Sequence, residues 1–296
     1  MLDFIIIGGG TAGLSSAVYA CRANKTVLVL EKIAFGGQII DSPLVENYPG
    51  IPEISGAEFA SSLFDQAEKA GSEFKCETVM RLDVKNGYTT VVTDEGSYDG
   101  KAVIIAAGSE HRRLGIAREE ELIGSGISYC ALCDGAFFKD KAIAVVGGGN
   151  AALTDALYLA DVAKCVYLIH RRDEFRAEKT LVERAERKNT VRIVTNARIT
   201  ELIGDDELTG VKLEVNGAPR SLDIDGLFVA IGRNPDNGTF GVALDDAGYI
   251  ITDEQCRTNI KGIYAAGDCR VKTVRQLTTA AADGAIAVQT ALNELF

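Results

Sequence analysis

The sequence predicts an α/β protein of two similar units, with parallel sheets and added antiparallel β layers. Three observations predict this. A strand–glycine turn–helix–strand pattern occurs twice. Apolar runs of strand length alternate with Ala-rich helical stretches, which implies parallel sheets with helices on their faces. The 296 residues suffice for about two domains, each burying its own core.

The first copy runs from Phe4-Ile5-Ile6-Ile7 into Gly8-Gly9-Gly10-Thr11-Ala12-Gly13-Leu14. The second runs from Ile143-Ala144-Val145-Val146 into Gly147-Gly148-Gly149-Asn150-Ala151-Ala152-Leu153. The same offset carries Ala17 onto Ala156 and Tyr19 onto Tyr158. Each copy continues as a helix and then a second apolar run, at 26–30 and 165–169. Between the copies the pattern predicts a helix over about 57–70, a strand-rich stretch over 74–92, and a buried strand from Lys101 that ends at Gly108. Alternation returns over 191–215; apolar runs follow at 226–232 and 262–268, and a helix from about Thr279 closes the chain.

Composition excludes several classes. With 47% hydrophobic residues the chain is too apolar to be disordered. Its net charge of −11 argues against a nucleic-acid partner. No apolar run approaches the ~20 residues needed to cross a bilayer, so no membrane association is expected. The start lacks a basic region and a cleavage site, and reads as a strand entering a loop. Seven cysteines, an odd number, argue against a structural disulfide framework and favour a cytoplasmic setting.

Gly8, Gly10 and Gly13 lie between a strand and a helix, the context in which this spacing has chemical meaning. They permit a tight turn, close approach to a pyrophosphate and close helix–strand packing, and the helix N-terminus faces the phosphates. The second strand of that copy ends at Glu31, where an acid accepts hydrogen bonds from ribose hydroxyls. In the second copy Gly147, Gly149 and Asn150 form the loop, and the position equivalent to Glu31 is His170, followed by Arg171, Arg172 and Arg176. Guanidinium groups there favour a 2′-phosphate, which a carboxylate would repel. The first loop therefore reads as a site for an adenosine with free ribose hydroxyls and the second as a site for NADPH. Two such Rossmann-like units suggest a flavin, FAD, that accepts the electron pair of a nicotinamide.

Cys130-Ala131-Leu132-Cys133-Asp134 holds the only closely spaced cysteines. Two intervening residues allow a disulfide, and a helix N-terminus would lower the thiolate pKa. No second pair completes a zinc site, so no metal is expected. Asp134 is placed either to move a proton to or from a thiolate or to cap a helix. Cys21, Cys76, Cys165, Cys256 and Cys269 are isolated and read as packing or bystander thiols.

Taken in order, these motifs resemble the low-molecular-weight bacterial thioredoxin reductases almost end to end. The resemblance also rests on Gly36-Gly37-Gln38, Glu46-Asn47-Tyr48-Pro49-Gly50, His170-Arg171-Arg172-Asp173-Glu174-Phe175-Arg176-Ala177, Ala266-Gly267-Asp268 and Arg275-Gln276. It implies an FAD- and NADPH-dependent homodimer with a redox-active disulfide. Gly37, Gln38, Asn47, Asp268, Arg275 and Gln276 would contact the flavin. Cys133 would lie against the flavin as the charge-transfer thiolate, Cys130 would attack the disulfide of a thioredoxin-like protein, and Asp134 would be the proton-transfer acid. The FAD domain would comprise 1–111 and 240–296, with 112–239 as the inserted NADPH domain carrying the cysteines. Rotation of one domain against the other would bring nicotinamide and disulfide to the flavin in turn, with hinges near 108–113 and 237–241.

The chain departs from the family pattern at Ser125, where some relatives carry arginine, at Leu132, where threonine is usual, and at Asp236, where asparagine is common. The first two bear on partner docking. Phe137 and Phe138 read either as an apolar docking knob or as core. Two rival functions are a related flavin reductase serving another carrier, and a non-catalytic flavoprotein that senses NADPH. The cysteine pair with Asp134 weighs against the second.

Overall fold

A computed structural model describes all residues, 1–296. The chain divides into two compact units, Met1–Glu110 with Asn234–Phe296, and His111–Arg233.

The first unit begins with β1 (Leu2–Ile7), α1 (Thr11–Arg22), β2 (Val27–Glu31), α2 (Gly56–Lys69), β3 (Glu73–Cys76), β4 (Val79–Val84), β5 (Thr89–Thr93) and β6 (Ser97–Ile105). Parallel pairing sets the order β3-β2-β1-β6. Phe4 and Ile6 enter the core on one face of this sheet, Ile5 and Ile7 the core on the other. Burial on both faces explains why β1 is an unbroken apolar run. β6 has a double role. Its residues 102–105 pair with β1, while 97–100 pair antiparallel with β5, which pairs in turn with β4. α2 starts on a reciprocal cap in which Ser55 Oγ accepts the Glu58 N–H and Glu58 Oε2 accepts the Ser55 N–H, each at 3.2 Å.

The chain leaves through β7 (Glu110–His111) and builds β8 (Ile127–Ser128), the single turn α3 (Ala131–Asp134), β9 (Ala142–Val146), α4 (Asn150–Leu159), β10 (Cys165–Ile169), α5 (Lys179–Arg187) and β11 (Val191–Val194). β12 (Ala197–Ile203), β13 (Gly210–Val215), β14 (Ala218–Asp223) and β15 (Gly226–Val229) follow. The parallel order is β11-β10-β9-β15-β8, and β12-β13-β14 form a separate antiparallel sheet. Asn216 and Gly217 turn β13 into β14 with φ of 50° and 82°, the left-handed pair that a tight hairpin demands.

β16 (Arg233–Asn234) returns the chain and pairs with β7. β17 (Ile263–Ala265) then adds to β6, and α6 (Leu277–Leu295) packs on α1. The return crossing falls at 233/234, before the expected 239/240. Residues 234–240 belong to the first unit because they are anchored there. Asn237 is buried and its Nδ2 donates to Gly248 O and Cys269 O, both at 2.9 Å, while Phe240 joins that unit's core. No helix is long and apolar enough to cross a membrane.

Candidate active site

In the first unit, Gly10 caps α1 with no side chain over the leading N–H groups, and the first turn carries no acid. A Cβ on Gly13 would lie 1.9 Å from Gly8 O, so only glycine lets α1 approach β1 this closely. Glu31 reaches back to the loop, its Oε2 accepting the Gly9 N–H at 2.7 Å. Gly36 N–H donates to Gly9 O at 2.8 Å and places Gly37 and Gln38 beside that loop. Gln38 is fixed by a 2.8 Å bond from Nε2 to Ser109 O. Asp268 lies on a 3-10 turn that packs on α1. Asn47 Nδ2 donates to Gln276 Oε1 at 3.2 Å. Arg275 stacks 4.2 Å over the Tyr249 ring and reaches Asp268 O at 3.4 Å. An open helix N-terminus, a carboxylate at the end of the second strand and a ring of amides fit a dinucleotide.

In the second unit, Gly149 caps α4, again with no side chain over the free N–H groups. His170 is 5% exposed and its ring lies under the loop, where a Cβ on Gly148 would meet it at 2.0 Å. It stacks on Phe175 and its Nε2 sits 3.1 Å from Glu174 O. Burial lowers its pKa, as do Arg176, Arg171 and Arg172, although the Glu174 carbonyl opposes them. Its position is that of a neutral strut. Arg171, Arg172 and Arg176 are exposed and no carboxylate pairs with them. The Arg176 N–H donates to Gly148 O at 2.8 Å, tying the arginine segment to the glycine loop. Asn150 exchanges two bonds with Glu178, Nδ2 to Oε1 at 3.0 Å and Oδ1 from the backbone N–H at 2.8 Å. It holds the same segment from the other side.

Cys130 and Cys133 form a disulfide in this unit. Cys130 caps the single turn α3, and its Sγ accepts the Cys133 N–H at 3.2 Å. Asp134 ends that turn. Its Oδ2 accepts a 2.5 Å hydrogen bond from Ser128 Oγ, and its Oδ1 is fully buried with no partner. Burial raises its pKa; the Ser128 bond opposes that rise. Tyr129, immediately before Cys130, donates from its hydroxyl to Glu119 Oε1 at 2.8 Å and packs 4.8 Å from the His111 ring. Glu119 is 2% exposed and also accepts the N–H groups of Leu114 and Gly115, each at 2.8 Å. Phe138 is core, edge-on to Phe228, whereas Leu132, between the two cysteines, and Phe137 are exposed.

The sequence gives no signal for Ser128 or Glu119. No spacing singles out a serine six residues before its carboxylate or a glutamate in an acidic run. Asn237 opens the segment 237–241 where a hinge is expected, but nothing in the sequence marks its side chain as an anchor.

The pyridine nucleotide-disulphide oxidoreductase family matches residues 2–284, and the chain belongs to it. Membership implies use of a flavin and a pyridine nucleotide. Thioredoxin reductase of Listeria monocytogenes is 42% identical over 295 residues, covering 98% of this chain and 92% of the relative. Thioredoxin reductase of Treponema pallidum is 42% identical over 293 residues, 98% and 95%. The crystal structure of thioredoxin reductase from Streptococcus pyogenes superposes with a TM-score of 0.95 at 41% identity, covering 99% of this chain and 97% of that one.

Proposed function

We propose that this chain is an FAD-containing, NADPH-dependent thioredoxin reductase. The observation that carries the reading is the Cys130–Cys133 disulfide with Asp134 behind it, in the same unit as the second glycine loop and its unpaired arginines. The unit formed by Met1–Glu110 and Asn234–Phe296 takes the flavin, and His111–Arg233 takes NADPH. The flavin, when bound, accepts a hydride from the nicotinamide and passes the electron pair to a disulfide.

Glu31 receives the adenosine ribose hydroxyls of FAD, the α1 N-terminus its pyrophosphate, and Gln38, Asn47, Asp268, Arg275 and Gln276 orient the rest. Arg171, Arg172 and Arg176 select NADPH through its 2′-phosphate. His170 and Asn150 shape that site from beneath and beside. The electron pair opens the Cys130–Cys133 bond; Asp134 delivers a proton to Cys130 while Cys133 stays a thiolate. Cys130, deprotonated again, attacks a partner disulfide and forms a mixed disulfide. Cys133 then attacks Cys130 Sγ, restores the internal disulfide and releases the partner as a dithiol. Exposed Leu132 and Phe137 offer apolar surface to a thioredoxin-like partner. We place the enzyme in the cytoplasm as a homodimer; the five free cysteines support a reducing compartment.

One assay tests the reading: purified protein supplied with FAD, NADPH and a disulfide dye, then with several thioredoxin-like proteins. Yellow protein that reduces both dye and thioredoxin supports it. A colourless preparation that gains no activity with FAD overturns it.

A further inference from the structure

Asp134 has two unlike carboxylate oxygens. Oδ2 accepts the Ser128 hydroxyl at 2.5 Å, while Oδ1 is fully buried and has no partner. Ser128 is itself 5% exposed at the end of β8, the edge strand paired to β15. Its Oγ also accepts the Cys130 N–H at 3.0 Å. One hydroxyl thus touches both the acid and the backbone of the first cysteine. Its single proton has Asp134 Oδ2 as its short acceptor; the alternative, Cys130 O, lies at 3.4 Å.

We propose that Ser128 is a positioning residue that occupies Asp134 Oδ2, so that the proton Asp134 exchanges with the dithiol is carried on Oδ1. The inference rests on the reductase reading above. When the disulfide takes up two electrons, the S–S bond breaks. One sulfur takes the proton from Oδ1, the other remains a thiolate, and Asp134 is left as a carboxylate. The Ser128 hydroxyl then holds that carboxylate through a charge-assisted bond. A donor on the ionised acid also makes the proton easier to give up, which offsets part of the burial that raises this pKa.

No ion pair competes with this control. The next turn, 135–138, carries no titratable side chain, and Lys139 follows it. α4, which packs on α3, carries Asp155 and Tyr158. Tyr129 is engaged with Glu119, and the cysteines carry no charge while bonded. Asp155 is raised by burial, against Arg233, to about 6, so its titration is removed in the test by working in an Asp155→Asn background.

The test uses the full flavin-loaded chain with Ser128→Ala, Ser128→Thr and Asp134→Asn. Infrared pH titration identifies the Asp134 carboxyl band by its loss in Asp134→Asn; the pH profile of NADPH-driven disulfide reduction is followed in parallel. Ser128→Ala is expected to raise the Asp134 pKa by about one pH unit. The alkaline limb of activity moves up with it, because an ionised acid has no proton to give. Ser128→Thr keeps the hydroxyl and the wild-type limb. In wild type the protonated band lies at the frequency of a carbonyl accepting one hydrogen bond, and it rises in Ser128→Ala. An unmoved pKa and limb in Ser128→Ala, or a wild-type band at the free-carbonyl frequency, overturns the proposal. Full activity with an unchanged limb in Asp134→Asn instead overturns the role of Asp134 as the acid.

Discussion

Asp283 and Arg270 form a buried two-pronged ion pair, with Nη2 2.8 Å from Oδ1 and Nε 2.9 Å from Oδ2. Lys272 adds a third bond to Oδ2 at 2.7 Å, and the Gly267 N–H a fourth at 2.9 Å. Asp283 lies on α6, while its partners span the loop that carries Asp268. One carboxylate therefore fixes both ends of the segment that carries Asp268, proposed above to contact the flavin.

Replacing Asp283 by Asn leaves Arg270 and a nearly buried Lys272 without a counter-charge. The expected cost is ~3–5 kcal/mol of stability, read by denaturant unfolding. Burial works to raise the Asp283 pKa, but hydrogen bonds from Arg270 and Lys272 outweigh it and hold the carboxyl below its ordinary 3.8. The contribution is thus complete above pH 3.8 and is lost as pH falls through the lower folded value. An Asn variant as stable as wild type at neutral pH would contradict this account.

Cys133→Ser and Cys130→Ser should each lower disulfide reduction by on the order of 10³-fold or more, since either thiol is indispensable to exchange. Reduction of the flavin by NADPH, followed by absorbance in the same samples, should persist. Residual dye reduction near the wild-type rate in either variant would remove the dithiol route.

Alanine at Arg171, Arg172 or Arg176 should raise the KM for NADPH by roughly tenfold per residue, the worth of one charge-assisted contact. The KM for NADH should hardly change. An equal loss with both nucleotides would mean that the arginines do not read a 2′-phosphate.

Burial first, and then the charge of Arg233, pushes His111 down to about 3. The folded protein keeps this ring neutral while the unfolded chain protonates it near 6.5. Stability is therefore full above pH 6.5 and declines as pH falls toward 3. His111→Phe retains a ring against Tyr129 and removes the titration. Denaturant unfolding should show wild type losing about 2 kcal/mol more than this variant between pH 7 and pH 5. Parallel losses would show that His111 is not the group responsible.

The repeat, the parallel sheets and the glycine loops were legible because each depends on neighbours a few residues apart. Gly13 must be small because α1 begins there; β1 is apolar throughout because both its faces are covered. The Cys130–Cys133 pairing was legible for the same reason. The end of the second unit is not legible in the sequence, because Asn237 and Phe240 declare their unit only through Cys269 and the core they join.

The chemistry proposed for this chain rests on local pattern: glycine loops ahead of helices, arginines after a strand, and two cysteines before an acid. Folding alone decided how those groups are held. Asn47 meets Gln276, Asp283 clamps Arg270 and Lys272, and Ser128 separates the two oxygens of Asp134. Such partners are set by where sheets and helices pack, and a buried polar group takes whichever donor the fold brings within about 3 Å. Residue spacing carries no record of that choice.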